Sequence, residues 1–127
     1  MRDQRFPDLA AWFNAQATAG QVLVCDLVIL ELVRLAPNEA RARDVADRLE
    51  SFESVPMPSG LWRRARELQL ELSPAEDHRR VPPADLLLAA AAEDAGVPLV
   101  HYDRHYARIA EVSDLEQVWF VPDGALA

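Results

Sequence analysis

Short apolar runs alternate with longer helical stretches along this chain, and that alternation restricts its possible folds more than any other feature. The runs Gln21–Cys25, Pro98–Tyr102 and Gln117–Val121 have the length and composition of buried strands. A fourth piece, Ser54–Met57, contains a proline and suits an edge strand. Strands separated by helices indicate an α/β domain with a mainly parallel central sheet. We therefore predict one such domain over residues 1–127, a length that fits a single core.

Amphipathic or apolar helical stretches fill the sequence between these runs. Local signals mark several of their ends: Asp26 suits an N-cap, Pro83 suits a first helical turn, and Gly96 suits a stop. The predicted helices are Pro7–Ala19, Leu27–Arg34, Glu39–Ser51, Leu61–Leu72, Pro82–Gly96 and Asp103–Ala110.

The charge of the chain limits the kinds of partner it can have. It carries 21 acidic and 13 basic residues, for a net charge of −8. Proteins that coat nucleic acids use a basic face, so this balance argues against that class but not against a nuclease whose acids hold metal ions. Cys25 is the only cysteine, which excludes an internal disulfide framework. No apolar run suits a membrane helix or signal peptide, so we expect no membrane association and a cytoplasmic location.

Three acids stand out by their context in the sequence. Glu31 lies within an otherwise apolar helical stretch, Asp85 opens the alanine-rich helix, and Asp103 follows a predicted strand. Divalent cations such as Mg²⁺ and Mn²⁺ prefer carboxylate oxygens. Metal-assisted hydrolysis of a phosphodiester requires such acids, the ion and a positioned water. The three acids together therefore indicate a metal site.

Each acid also has a purely structural explanation, which the sequence leaves open. Asp85 falls in a first helical turn, where a carboxylate suits the helix dipole. Asp103 suits an N-cap, and Glu31 can be a solvated residue on a half-exposed helix. An unrelated α/β binding module would be favoured if the three acids lay far apart.

Residues 81–110, VPPADLLLAAAAEDAGVPLVHYDRHYARIA, resemble the C-terminal half of PIN-domain toxins of the VapC type. The characteristic pattern there is "(P)xDLLIAAxAxxxGxxLxxxDxDFxxIA". The earlier LVCDLVILELV is similar to the family's strand and the helix that carries its catalytic glutamate, and EQVWFVPDG resembles its last strand. The resemblance covers about residues 7–122.

The resemblance implies a three-layer PIN-like fold and a metal-dependent endoribonuclease, the toxin of a toxin–antitoxin system. Its catalytic and metal-binding residues would be Glu31, Asp85 and Asp103, with Mg²⁺ or Mn²⁺ as cofactor. Its partners would be an RNA substrate, a second copy in a homodimer, and a VapB-like antitoxin bound in a groove of the N-terminal helices. We expect the three acids to converge on one cleft.

The chain departs from the family pattern in two places. His105 and Tyr106 replace the second aspartate and the phenylalanine of the DxDF motif. His105 can reach the metal site or be a surface residue. The family's opening strand, which ends in an aspartate, has no counterpart before Asp26, so the first central strand is expected to be missing.

A missing strand would come from a start codon assigned too late, decay of the gene, or an artificial chain boundary. We expect the 127-residue chain alone to be unstable or nearly inactive, because it lacks a strand and one metal ligand, and an upstream-extended form to be active. The alternative function is that of a catalytically dead, truncated PIN-domain remnant that only binds an antitoxin.

Overall fold

The computed structural model of the protein describes residues 23–101 and 104–119. The predicted helix Pro7–Ala19 and the candidate ligand Asp103 lie outside the described residues. The chain divides into two compact units, Met1–Ser54 and Val55–Ala127. None of the helices within the described ranges has the length and apolar character needed to cross a membrane.

The first unit contains one described pair of short strands and two helices. Its elements are β1 (Leu23–Val24), α1 (Asp26–Arg34), α2 (Glu39–Glu50) and β2 (Glu53–Ser54). The strands β1 and β2 are parallel, with Leu23 opposite Glu53 and Val24 opposite Ser54. The side chain of Asn38 accepts a hydrogen bond from the backbone N–H of Arg41 at 2.9 Å, and this cap starts α2.

The second unit contains three helices and a further parallel pair of strands within the described residues. Its elements are α3 (Leu61–Leu72), two 3₁₀ turns (Ser73–Ala75 and Asp77–Arg79), α4 (Pro83–Ala95), β3 (Leu99–His101), α5 (Arg104–Ala110) and β4 (Gln117–Trp119). In the parallel register Leu99 lies opposite Gln117. Gly96 ends α4 in the left-handed region with φ of +67°, which glycine adopts without steric cost.

The core of the second unit forms where α3 packs on α4. Leu68 on α3 and Ile109 on α5 are completely buried. The four consecutive alanines Ala89–Ala92 of α4 are all buried as well. Small side chains let neighbouring elements approach this helix closely, and its central residues 86–92 are apolar on every side.

The α/β class and the parallel strand pairing are confirmed. The predicted edge strand over Ser54–Met57 is wrong in its bounds, since β2 ends at Ser54 and the next four residues are irregular. Pro56 explains the early end, because proline has no N–H to donate to a strand ladder. The three-layer arrangement, the single domain over residues 1–127 and the missing strand stay predictions.

A charged pair joins α3 to α4 near the end of α4. Arg64 Nε and Nη2 donate to the two carboxylate oxygens of Glu93 at 2.6 and 2.9 Å. The backbone N–H of Asp114 also donates to Glu93, at 3.0 Å. The hydrogen bond from Arg64 is the main cause that lowers the pKa of Glu93 below its ordinary value, against the opposing effect of desolvation. The same pair raises the pKa of Arg64.

Replacing Glu93 by Gln is expected to lower the free energy of unfolding near neutral pH by about 2 kcal/mol, since it removes a charged, largely buried acceptor. Because the folded-state pKa is lowered, the pair's contribution is present above pH 4.5, the ordinary value. It is lost as the pH falls from there through the lowered folded pKa. Urea unfolding of wild type and Glu93→Gln across this range measures the difference.

The matched control for this prediction is Glu67→Gln. Glu67 also contacts Arg64, at 3.3 Å, but its side chain is 54% exposed and the pair is expected to contribute little. A stability difference between wild type and Glu93→Gln that persists unchanged at low pH would contradict the prediction.

Candidate metal centre

Asp85 lies in the first turn of α4, and the two prolines before it account for that position. Pro82 has extended backbone angles, and Pro83 occupies the first turn, where its missing N–H leaves no intrahelical bond unmade. Unpaired N–H groups and the helix dipole favour a negative charge there. The side chain of Asp85 is 22% exposed, so it is half-buried and still open to a ligand from solution.

Both carboxylate oxygens of Asp85 accept a hydrogen bond from the first turn of α5. Nδ1 of His105 lies 2.8 Å from Oδ2, and the hydroxyl of Tyr106 donates to Oδ1 at 3.1 Å. An ionised carboxylate only accepts, so Nδ1 is the ring nitrogen that carries the hydrogen in this contact. Asp85 is therefore held between two donors on adjacent residues.

Sequence reasoning left His105 open between a surface role and a role at the site. The structure places it in direct contact with Asp85. The sequence shows Tyr106 only as a replacement for phenylalanine and does not predict its contact with Asp85. The signal that could have found both is their position, since they are the two residues at which the chain departs from the DxDF motif.

Glu31 lies on α1 in the first unit, where its side chain is 50% exposed and pairs with Arg34 at 3.1 Å. An exposed pair of this kind contributes little stability, so the carboxylate can exchange Arg34 for another cation at small cost. Asp85 belongs to the second unit and Asp103 lies outside the described residues. The convergence of the three acids on one cleft thus stays a prediction.

Two arginines share one carboxylate, that of Asp77, in the second unit. Asp77, whose side chain is 15% exposed, lies 3.4 Å from Arg80 and 3.5 Å from Arg108. Arg80 precedes α4 in the loop, and Arg108 lies one turn after His105 on α5. Arg80 is therefore near Asp85 in the sequence, and Arg108 lies on the helix whose first turn contacts Asp85.

A shallow pocket of about 420 Å³ lies around the other end of α4. Arg64 and Glu93, which form the ion pair described above, are part of its lining. It includes neither Asp85 nor the residues that bind Asp85, so it is separate from the candidate metal centre.

The carboxylate oxygens of Asp85 are ligands that suit a hard divalent cation. Mg²⁺ and Mn²⁺ take oxygen ligands, and a carboxylate offers about four lone-pair positions. His105 and Tyr106 use one position on each oxygen, which leaves one on each for a cation. Among residues 23–101 and 104–119 there is no group of three or more His, Cys, Asp or Glu side chains placed to hold a metal ion.

The chain belongs to the PIN-domain family, whose model matches residues 1–112. Within that family it is of the VapC type, as predicted. It is 35% identical over 122 residues to Ribonuclease VapC18 of Mycobacterium tuberculosis, a match that covers 94% of this chain and 89% of the relative. It is 33% identical over 110 residues to Ribonuclease VapC51 of the same organism, covering 87% and 80% of the two chains. Ribonuclease VapC21, also from that organism, is 39% identical over 77 residues, which is 61% of this chain and 56% of the relative.

Proposed function

We propose that this protein is a metal-dependent endoribonuclease and the toxin of a toxin–antitoxin pair. The observation that carries the proposal is the hydrogen bonding and partial exposure of Asp85. This acid opens the alanine-rich helix of the family pattern. Its carboxylate is fixed by two hydrogen bonds and still partly open to solution. The relatives named as ribonucleases supply the reaction class.

Glu31, Asp85 and Asp103 would hold Mg²⁺ or Mn²⁺. When bound, the ion supplies an activated water and neutralises charge on the phosphate. Asp103 precedes His105 by two residues, a stretch of chain that spans at most about 7 Å. Since His105 contacts Asp85 directly, we expect Asp103 to bind the same ion.

Arg80 and Arg108 would bind the RNA backbone beside this site. Guanidinium groups form paired hydrogen bonds with phosphates, and phosphate contacts fix the register of a nucleic acid without reading its sequence. Arg80 is well suited to this role because its side chain is 64% exposed and its contact with Asp77 is long. The net charge of −8 is compatible with this proposal, because RNA binding would need only a few arginines beside the site.

The remaining partners follow from membership of the VapC type. We propose a homodimer of single PIN-like domains over residues 1–127, located in the cytoplasm, that binds a VapB-like antitoxin. A cleft formed by the three acids would favour an arginine from the antitoxin, which would occupy the position of the metal ion.

Cleavage of a structured RNA is expected with Mg²⁺ or Mn²⁺, to be lost in excess EDTA and to return when Mn²⁺ is added back. The assay compares the 127-residue chain with an upstream-extended form. The form that cleaves RNA is called the active form. Equal cleavage in EDTA would overturn the metal dependence. If neither form cleaves RNA but the protein binds the antitoxin stably, the protein is a non-catalytic remnant that only binds an antitoxin.

A further inference from the structure

The two donors on Asp85 are not among the residues that the proposed function assigns to the metal ion. We propose that His105 and Tyr106 are positioning residues, which hold the Asp85 carboxylate in the orientation that binds the divalent cation. This inference rests on the proposed function, because it concerns the same site.

The geometry explains why two donors are needed. The torsion that turns a carboxylate about its Cβ–Cγ bond has broad minima, so the aspartate itself does not fix the direction of its oxygens. The donors from His105 and Tyr106 contact different oxygens, at 2.8 and 3.1 Å. A rotation of the carboxylate lengthens both contacts, so the pair fixes the plane in which the remaining lone pairs lie.

The core holds Tyr106 in place. Tyr106 is 8% exposed and belongs to the same buried cluster as the completely buried Ile109 on α5. A phenylalanine ring would fill the same space but could not donate to Asp85. The hydroxyl therefore adds an interaction with the acid to a packing position that the core already requires.

The sequence supports the same inference independently. The chain departs from the DxDF pattern at two adjacent positions, 105 and 106, and the side chains at both bind Asp85. One acid of the pattern is thereby exchanged for a hydrogen-bond donor, which lowers the negative charge around Asp85. At position 105 the family pattern has a second carboxylate, whereas this chain has a side chain that fixes the orientation of Asp85.

The alternative is that these contacts only join α4 to α5. A merely structural role predicts that the variants lose thermal stability and keep their affinity for the ion. A positioning role predicts weaker metal binding by a protein that remains folded, because residues that orient a metal-binding carboxylate typically change metal affinity by about 10- to 100-fold when they are removed.

The test measures Mn²⁺ affinity by calorimetry and by the spin-resonance signal of free Mn²⁺, with the active form and no RNA. Tyr106→Phe removes only the hydroxyl, and His105→Ala removes the ring donor. Each is expected to weaken Mn²⁺ binding by about tenfold or more. His105→Asn places an amide nitrogen where Nδ1 lies, so it is expected to recover most of the affinity.

His78→Asn is the matched control. His78 lies in the same unit, and its Nδ1 is buried without a hydrogen-bond partner among the described residues. Its replacement is expected to leave Mn²⁺ affinity unchanged. Thermal unfolding of each metal-free variant establishes that it is folded.

The outcomes separate this inference from the proposed function. If wild type binds Mn²⁺ in a way that Asp85→Asn abolishes, while Tyr106→Phe and His105→Ala bind as tightly as wild type, the positioning role is wrong and the metal site stands. If His105→Asn binds as weakly as His105→Ala, the Nδ1 contact is not what positions Asp85. If wild type shows no Asp85-dependent binding of Mn²⁺, both the proposed metal site and this inference are overturned.

Discussion

Replacing Asp85 by Asn is expected to lower the rate of RNA cleavage about a thousandfold. The change removes an anionic oxygen from the proposed ligand set at nearly constant volume. Stabilisation of transition-state charge by a bound cation contributes several kcal/mol, and about 4 kcal/mol corresponds to three powers of ten in rate. The new amide also places a donor against His105 or Tyr106, both of which donate to the wild-type carboxylate. Initial rates with saturating Mn²⁺ measure the effect.

Asp94→Asn is the control for this prediction. Asp94 lies near the other end of the same helix and is exposed. It has the same charge as Asp85, so its replacement changes the net charge equally. We expect cleavage to continue at the wild-type rate. Equal losses in the two variants would show that general electrostatics, rather than the site at Asp85, accounts for the effect.

Replacing Leu68 by Ala is expected to cost about 3 kcal/mol of unfolding free energy. Leu68 is completely buried on α3 within the core of the second unit. A leucine-to-alanine change at such a position loses transfer free energy and leaves a cavity, and measured costs run from about 2 to 5 kcal/mol. Equilibrium urea unfolding measures the change.

Leu70→Ala provides the comparison on the same helix. Leu70 is 70% exposed, and surface substitutions of this kind usually change stability by less than about 0.5 kcal/mol. The two variants remove the same atoms from neighbouring positions. If they destabilised the protein equally, Leu68 would not occupy the packed position that the structure gives it.

The sequence predicts the helices of the second unit well because their signals are local. The helix Leu61–Leu72 is observed with the predicted bounds. The helix predicted from Pro82 to Gly96 is observed as Pro83–Ala95 with Gly96 as its cap. Proline and glycine fix such ends through backbone geometry alone, so no knowledge of the tertiary structure is needed.

The contacts around the candidate site could not be predicted in the same way. His105 and Asp85 are 20 positions apart, and Arg64 and Glu93 are 29 apart. Helical periodicity places Arg64 on the polar face of α3 but does not say which carboxylate it meets. These pairs depend on how α3 and α5 pack on α4, which is decided by the whole core rather than by any single stretch.

The burial of Ala89–Ala92 limits how much the helix α4 can move. The burial of Ala89–Ala92 protects the middle of α4 from local unfolding, because the amide groups there reach water only when the surrounding elements separate. Asp85 lies one turn ahead of that enclosed stretch. We therefore expect the turn that carries Asp85 to be attached to a stably folded part of the helix. When the surrounding loops fluctuate, the position of Asp85 relative to a bound RNA strand would then change little.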